Sequence, residues 1–119
     1  MKSIMVIDDD KAGLRTTDIR LTKMGYTVFT ATDAASALSS ARKNNPDVIL
    51  MDVSGAPGDA LLVSDRLGDL LKSAVTPVIF IAPRQTYSFR ECAARLRANG
   101  RFLKKPFDST SLADAIESE

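Results

Sequence analysis

The run Ile4-Met5-Val6-Ile7 leads directly into Asp8, Asp9 and Asp10, so three adjacent carboxylates stand at the end of an apolar segment. Asp52 closes a second such run, Val48-Ile49-Leu50-Met51, and Lys104 and Lys105 close a third, Arg101-Phe102-Leu103. Crowded carboxylates raise one another's pKa and attract divalent cations. A carboxylate can also attack a phosphoryl group and form an acyl phosphate, provided that positive charge offsets the phosphate and the neighbouring acids. Lysine supplies such charge. Histidine is absent from the chain, so no imidazole serves as base, phosphocarrier or metal ligand.

These groups act together only if the elements that carry them converge. Apolar patterning alternates between short β-rich runs and longer segments of helical period, the signature of repeated βα units. The expected strands are residues 4–7, 26–31, 47–52, 76–82 and 101–104. Unbroken hydrophobicity in the fourth predicts burial on both faces, as a central parallel strand requires. The expected helices cover residues 11–24, ended by Gly25, and 33–45, capped by Thr32 or Asp33 and stopped by Pro46. Three more cover 59–72, weakened at Gly68, then 87–99, capped by Gly100, and a last one from about Ser109. In the first helix Leu14, Ile19, Leu21 and Met24 are expected to share much of one face, and Asp10 is expected as its N-cap. Right-handed crossovers turn this order into a parallel sheet with helices on both faces. Its site lies beyond the strand C-termini, where Asp8, Asp9, Asp52 and Lys105 would meet.

Composition sets the outer bounds. A chain of 119 residues with 45% hydrophobic content suits one compact domain, residues 1–119. Sixteen basic against 15 acidic residues, net +1, give no electrostatic reason to expect direct nucleic-acid binding or an anionic membrane surface. The single cysteine, Cys92, cannot form an internal disulfide and is expected as a small core side chain. That pattern fits a reducing cytoplasmic location. The first apolar run is too short for a signal peptide or a membrane span.

Taken in order and spacing, VIDDD, PDVILMD and FLKKPFD resemble the receiver domain of two-component response regulators, and the likeness covers the whole chain. The resemblance implies a doubly wound (βα)5 fold, a flavodoxin-like three-layer sandwich whose five-stranded parallel sheet has the order 2-1-3-4-5. It implies Mg²⁺ as cofactor, bound by Asp9 directly, by Asp8 through water, by Asp52 and by the backbone carbonyl of Ser54. Asp52 would also be the phosphoacceptor. A cis peptide before Pro106 would aim Lys105 at the phosphoryl oxygens, while Lys104 would be solvated. The implied partners are a histidine kinase or phosphotransfer protein, and a downstream protein target or a fused output domain. The face of the fourth helix, fifth strand and fifth helix would carry the output. Phe102 stands at the family's aromatic switch position.

Two departures bear on the site, the first on the loop near the metal and the Ser54 carbonyl, the second on switching. The family carries Met-Pro at the third and fourth positions after the phosphoacceptor, whereas here Asp52 is followed by Val53-Ser54-Gly55-Ala56-Pro57, with proline one place later. The family places Thr or Ser at the end of the fourth strand. This chain has Ala82, whose methyl group cannot hydrogen-bond a phosphoryl oxygen.

Two functional classes follow from these residues: a phosphoacceptor signalling domain, and a phosphorylation-independent receiver that binds a partner constitutively. Neither is an enzyme beyond self-catalysed phosphorylation and dephosphorylation. A third, remote reading is a haloacid-dehalogenase-like phosphatase, from the Asp-x-Asp of Asp8 to Asp10. That motif expects Thr or Val where Ala12 stands. A flavin site is not expected, because acids rather than a hydroxyl-rich phosphate loop follow the first run.

Overall fold

The computed structural model of the chain describes residues 2–54, 57–71, 76–96 and 100–118. Strands and helices alternate strictly: β1 (Ser3–Ile7), α1 (Lys11–Lys23), β2 (Thr27–Ala31), α2 (Ala34–Asn44), β3 (Val48–Asp52), α3 (Pro57–Leu71), β4 (Val78–Ala82), α4 (Tyr87–Arg95), β5 (Gly100–Lys104) and α5 (Ser109–Glu117). The sheet is parallel throughout with strand order β2-β1-β3-β4-β5. That is the flavodoxin-like order the resemblance implied.

Side-chain alternation along the strands divides the core into two layers. Ile4, Val6, Val48, Leu50, Ile79 and Ile81 point to one face and pack with Leu14 and Leu21 of α1 and Leu112 and Ile116 of α5. Met5, Ile7, Ile49, Met51, Val78 and Phe80 point to the other and pack with Ala37 and Ala41 of α2, Val63 and Leu67 of α3 and Cys92 of α4. All five residues of β4 are buried, as its unbroken hydrophobicity predicts. Burying each large apolar side chain contributes about 1.5–3 kcal/mol, so the central strands anchor the sheet, and their register aligns its C-terminal ends.

Local signals set the helix limits. Asp10 caps α1 by accepting from the Ala12 amide. Asp33, rather than Thr32, caps α2 through a reciprocal box with Ser36. Gly25 takes the left-handed conformation (φ 95°) that closes α1, and Asn45 (φ 50°) does so after α2, ahead of Pro46. Helix α3 begins two residues earlier than expected because proline is well placed in a first turn, where its missing N–H has no partner to lose.

Two expectations are corrected. Ile19 is 49% exposed, while Leu14 and Leu21 of the same helix are buried; five residues on from Leu14, it has turned well off the buried stripe. Gly100 does not cap α4: it is the first residue of β5, paired in register with Val78, and α4 ends at Arg95 with Leu96 as its cap. The expected continuation of α4 through residues 97–99 lies outside the described residues, as do Lys72 at the end of α3 and Gly55 and Ala56 after Ser54. Gly68 lowers the intrinsic helicity of α3, yet an added Cβ there would lie 2.8 Å from the Arg95 carbonyl oxygen. The missing side chain lets α3 approach α4 closely.

Candidate functional site

Register brings the chemistry together. Ile7 of β1 lies opposite Met51 of β3, Asp52 opposite Ile81 of β4, and Ala82 opposite Lys104 of β5. Sheet hydrogen bonding continues past the strand ends: the Asp8 amide donates to the Ala31 carbonyl (3.1 Å), Val53 to Ile81 (2.9 Å) and Lys105 to Ala82 (2.8 Å). The backbone therefore fixes Asp8, Asp52 and Lys105 at the open C-terminal edge of the sheet.

Asp52 is held from two sides. Its side chain is 8% exposed, Oδ2 is paired with the Lys105 ammonium, and Oδ1 accepts the Ser54 N–H at 2.7 Å. Lys105, 38% exposed, precedes Pro106 through a cis peptide bond, as the resemblance implied. Asp8 is 6% exposed, and its Oδ1 accepts the Asp10 N–H at 3.0 Å. Among the described residues, no donor reaches Asp8 Oδ2. Burial pushes the Asp8 carboxyl up to about 6, and the charges of Asp52 and Asp10 push the same way. The Asp10 amide and the Lys105 charge pull against them without prevailing.

The other sequence-predicted residues fall around this trio. Asp9 is exposed, and among the described residues no three acidic, histidine or cysteine side chains converge closely enough to form a ready-made metal cage. Ser54 is exposed at the mouth of the site, with its amide used by Asp52. Asp10 serves as helix cap, and Lys104 is exposed. Ala82 is fully buried in the layer with Phe80 and Cys92. Phe102 lies beside Phe80 in register and packs edge-on against Phe89 of α4, which in turn packs edge-on against Phe80, with ring centroids 4.8 and 5.6 Å apart.

The donor set suits a hard divalent cation. Asp8 and Asp52 present two carboxylates against one ammonium, one oxygen of the buried Asp8 has no donor, and the remaining candidate ligands, Asp9 and the Ser54 carbonyl, are also oxygens. Burial is the main cause of the raised Asp8 pKa, with the Asp52 charge adding to it, so the ionised carboxylate is costly here without a further cation.

Sequence reasoning missed two residues here. Gly13, in the first turn of α1, lies against Asp8, and Arg20 sits over the Phe107 ring at 4.8 Å while donating to the Phe107 carbonyl. An isolated glycine in a helix of otherwise ordinary formers was the available sign of the first. The second joins residues 87 positions apart and has no local signal.

This geometry and topology belong to a known class. The response regulator receiver domain family matches residues 4–117, and the chain belongs to it. Receiver domains are signalling domains of two-component systems. Among curated relatives, Protein PilG of Pseudomonas aeruginosa is 30% identical over 115 residues, covering 97% of this chain and 84% of PilG. The transcriptional regulatory protein KdpE of Mycobacterium tuberculosis is 36% identical over 90% of this chain, which spans only 46% of KdpE. The response regulator PleD of Caulobacter vibrioides is 33% identical over 97% of this chain, a match covering a quarter (25%) of PleD. Among solved structures, the chemotaxis protein CheY4 of Vibrio cholerae superposes with a TM-score of 0.83 at 24% identity, over 99% of this chain and 98% of that one. The receiver domain of a sensor histidine kinase from Pseudomonas aeruginosa, whose structure has magnesium ion coordinated in the active site cleft, gives 0.78 at 22% identity, over 98% of this chain and 95% of that one. At these identities the two structures establish the fold alone. The family match leaves the haloacid-dehalogenase-like reading without support.

Proposed function

We propose that this domain is a phosphoacceptor module, phosphorylated on Asp52 by a histidine kinase or phosphotransfer protein with Mg²⁺ present. One observation carries the reading: Asp52 is the carboxylate held between an ammonium and a backbone amide, beside a second buried acid, at the open edge of a parallel sheet. An Asp52 oxygen attacks the phosphorus of a phosphohistidine, the P–N bond breaks, and its electron pair leaves with the imidazole. An acyl phosphate remains on Asp52. Lys105, already on Asp52 Oδ2, is placed to follow the negative charge onto the phosphoryl oxygens, and the Ser54 amide steadies the oxygen that does not react. Mg²⁺, held by Asp8, Asp9, Asp52 and the Ser54 carbonyl, would neutralise the charge that phosphoryl transfer concentrates here. The output face is that of α4, β5 and α5, where Tyr87 is 65% exposed, and it would meet a downstream protein or a fused output domain.

A specific observation favours a second reading, the constitutive binding module. Ala82 offers no hydroxyl, and Phe102 is already packed against Phe89, so the chemistry at Asp52 has a weak hold on the output face. Intact mass after incubation with acetyl phosphate and Mg²⁺ separates the two readings. A single phosphate adduct that maps to Asp52 and is lost in Asp52→Asn supports the phosphoacceptor. No adduct, or one mapped to Asp8 or Asp9, overturns it.

A further inference from the structure

An open cleft of about 510 Å³ runs from the site along α1, lined by Asp8, Gly13, Thr17, Arg20, Lys105 and Phe107 among others. It shares Asp8 and Lys105 with the phosphoacceptor site. Gly13 lines the cleft beside Asp8. Its position in the first turn of a regular helix gives no backbone reason for glycine, since among the described glycines only Gly25 has a positive φ. A glycine inside a helix is a liability relative to alanine. What Gly13 supplies is space: a Cβ there would lie 2.9 Å from Asp8 Oδ2 and 3.2 Å from Asp10 Oδ2. Neither carboxylate can retreat without loss. Asp8 is tied through Oδ1 to the Asp10 amide, and Asp10 through its own Oδ1 to the Ala12 amide that it caps.

We infer that Gly13 is a positioning residue, keeping Asp8 Oδ2 open to the cleft so that this oxygen can meet the water shell of a divalent cation. Mg²⁺ gives up its waters reluctantly and keeps several when bound, so a carboxylate that serves it needs free volume beside it as well as charge. The buried Asp8, with one oxygen tied and the other facing a residue that has no side chain, meets both needs. The inference rests on the cation reading above and adds a residue that reading does not use.

Calorimetric titration of Mg²⁺ into wild type, Gly13→Ala, Asp8→Asn and the double variant tests it, together with the melting temperature of each without metal. Gly13→Ala is expected to weaken Mg²⁺ binding by about tenfold or more, the usual scale for groups that orient a metal ligand. Its metal-free melting temperature should fall below that of wild type, because the added Cβ crowds two carboxylates that are tied in place. In the Asp8→Asn background the same substitution should cost no further affinity, since the two residues act as one unit. Equal affinity in wild type and Gly13→Ala overturns the inference and leaves the cation reading standing. A further loss in the Asp8→Asn background, or an unchanged or raised metal-free melting temperature, which would mean that the Cβ is accommodated without crowding Asp8, also overturns it. A wild type that binds no Mg²⁺ removes the cation reading and the inference together.

Discussion

The two ends of the sheet are both polar, and they treat their polar groups in opposite ways. At the N-terminal end, Tyr26 donates to Glu117 (2.6 Å), the Ser3 amide to Asp47 (2.7 Å) and the Lys2 ammonium to the Ile116 carbonyl (2.9 Å). Each acid there has a donor. At the C-terminal end, among the described residues, the buried Asp8 keeps one oxygen without a donor, and it shares a single ammonium with the largely covered Asp52 side chain. Cleft size does not separate the two ends: the opening beside Tyr26 and Glu117 is about 690 Å³, larger than the one beside Asp8. The balance of polar partners does: Asp47 and Glu117 are exposed, so water completes their hydrogen bonding, whereas Asp8 is buried. Under the function proposed above, the partner that Asp8 lacks within the described residues comes from outside.

The largest expected effect of disturbing this contrast is at Asp8. Its folded pKa, about 6 against an ordinary 3.8, means that the native state binds the proton more tightly than the unfolded chain does. The resulting stability is present below about pH 4 and is lost as pH rises through about 6, at about 1.4 kcal/mol per pKa unit and up to about 3 kcal/mol in total. Asp8→Asn should flatten that slope and make the metal-free protein more stable at neutral pH. Urea unfolding at about pH 4 and pH 7 reads this directly. An unchanged slope would mean that Asp8 is not where the strain resides.

The next effect concerns Ala82. A hydrogen bond to a charged group is worth roughly 1.5–3 kcal/mol, against about 5.5 kcal/mol needed to drive a two-state equilibrium from one side to the other. Ala82→Thr should restore much of that missing share. NMR shift changes at Phe102 and Tyr87 on adding beryllofluoride and Mg²⁺ should be larger in the variant than in wild type. Equal responses would mean that Ala82 is no handicap.

The smallest effect is at the balanced end. Burial and the Glu117 carboxylate hold the Tyr26 hydroxyl up at about 12, so its proton and hydrogen bond persist at all ordinary pH values. Tyr26→Phe removes one solvent-accessible hydrogen bond and should cost about 0.5–1.5 kcal/mol by thermal unfolding. Mg²⁺ affinity should not change. A loss of metal binding in that variant would mean the two ends are coupled and the contrast between them is false.

The elements, their order and the placement of Asp8, Asp52 and Lys105 were legible because short-range signals set them: apolar runs of strand length, capping acids, and charged residues directly after each run. The Asp10 cap was legible too, while the cap of the second helix stayed open between Thr32 and Asp33. Contacts between distant elements were not. Nothing near Phe89 in sequence announces that its ring lies between Phe80 and Phe102, and nothing near Arg20 announces Phe107, because each depends on how helices dock around the sheet. Gly100 was misplaced for the same reason: a glycine after a helical segment reads as a cap until a neighbouring strand claims it by register.

Residue-by-residue NMR of the wild type, before and after beryllofluoride with Mg²⁺, compares the two ends in a single experiment. The unbalanced end should respond, with the largest shifts at Asp8, Asp9, Asp52, Ser54 and Lys105, while Tyr26, Asp47 and Glu117 stay still. Shifts spread evenly over both ends, or a silent C-terminal edge, would contradict the assignment of the site to Asp8, Asp52 and Lys105.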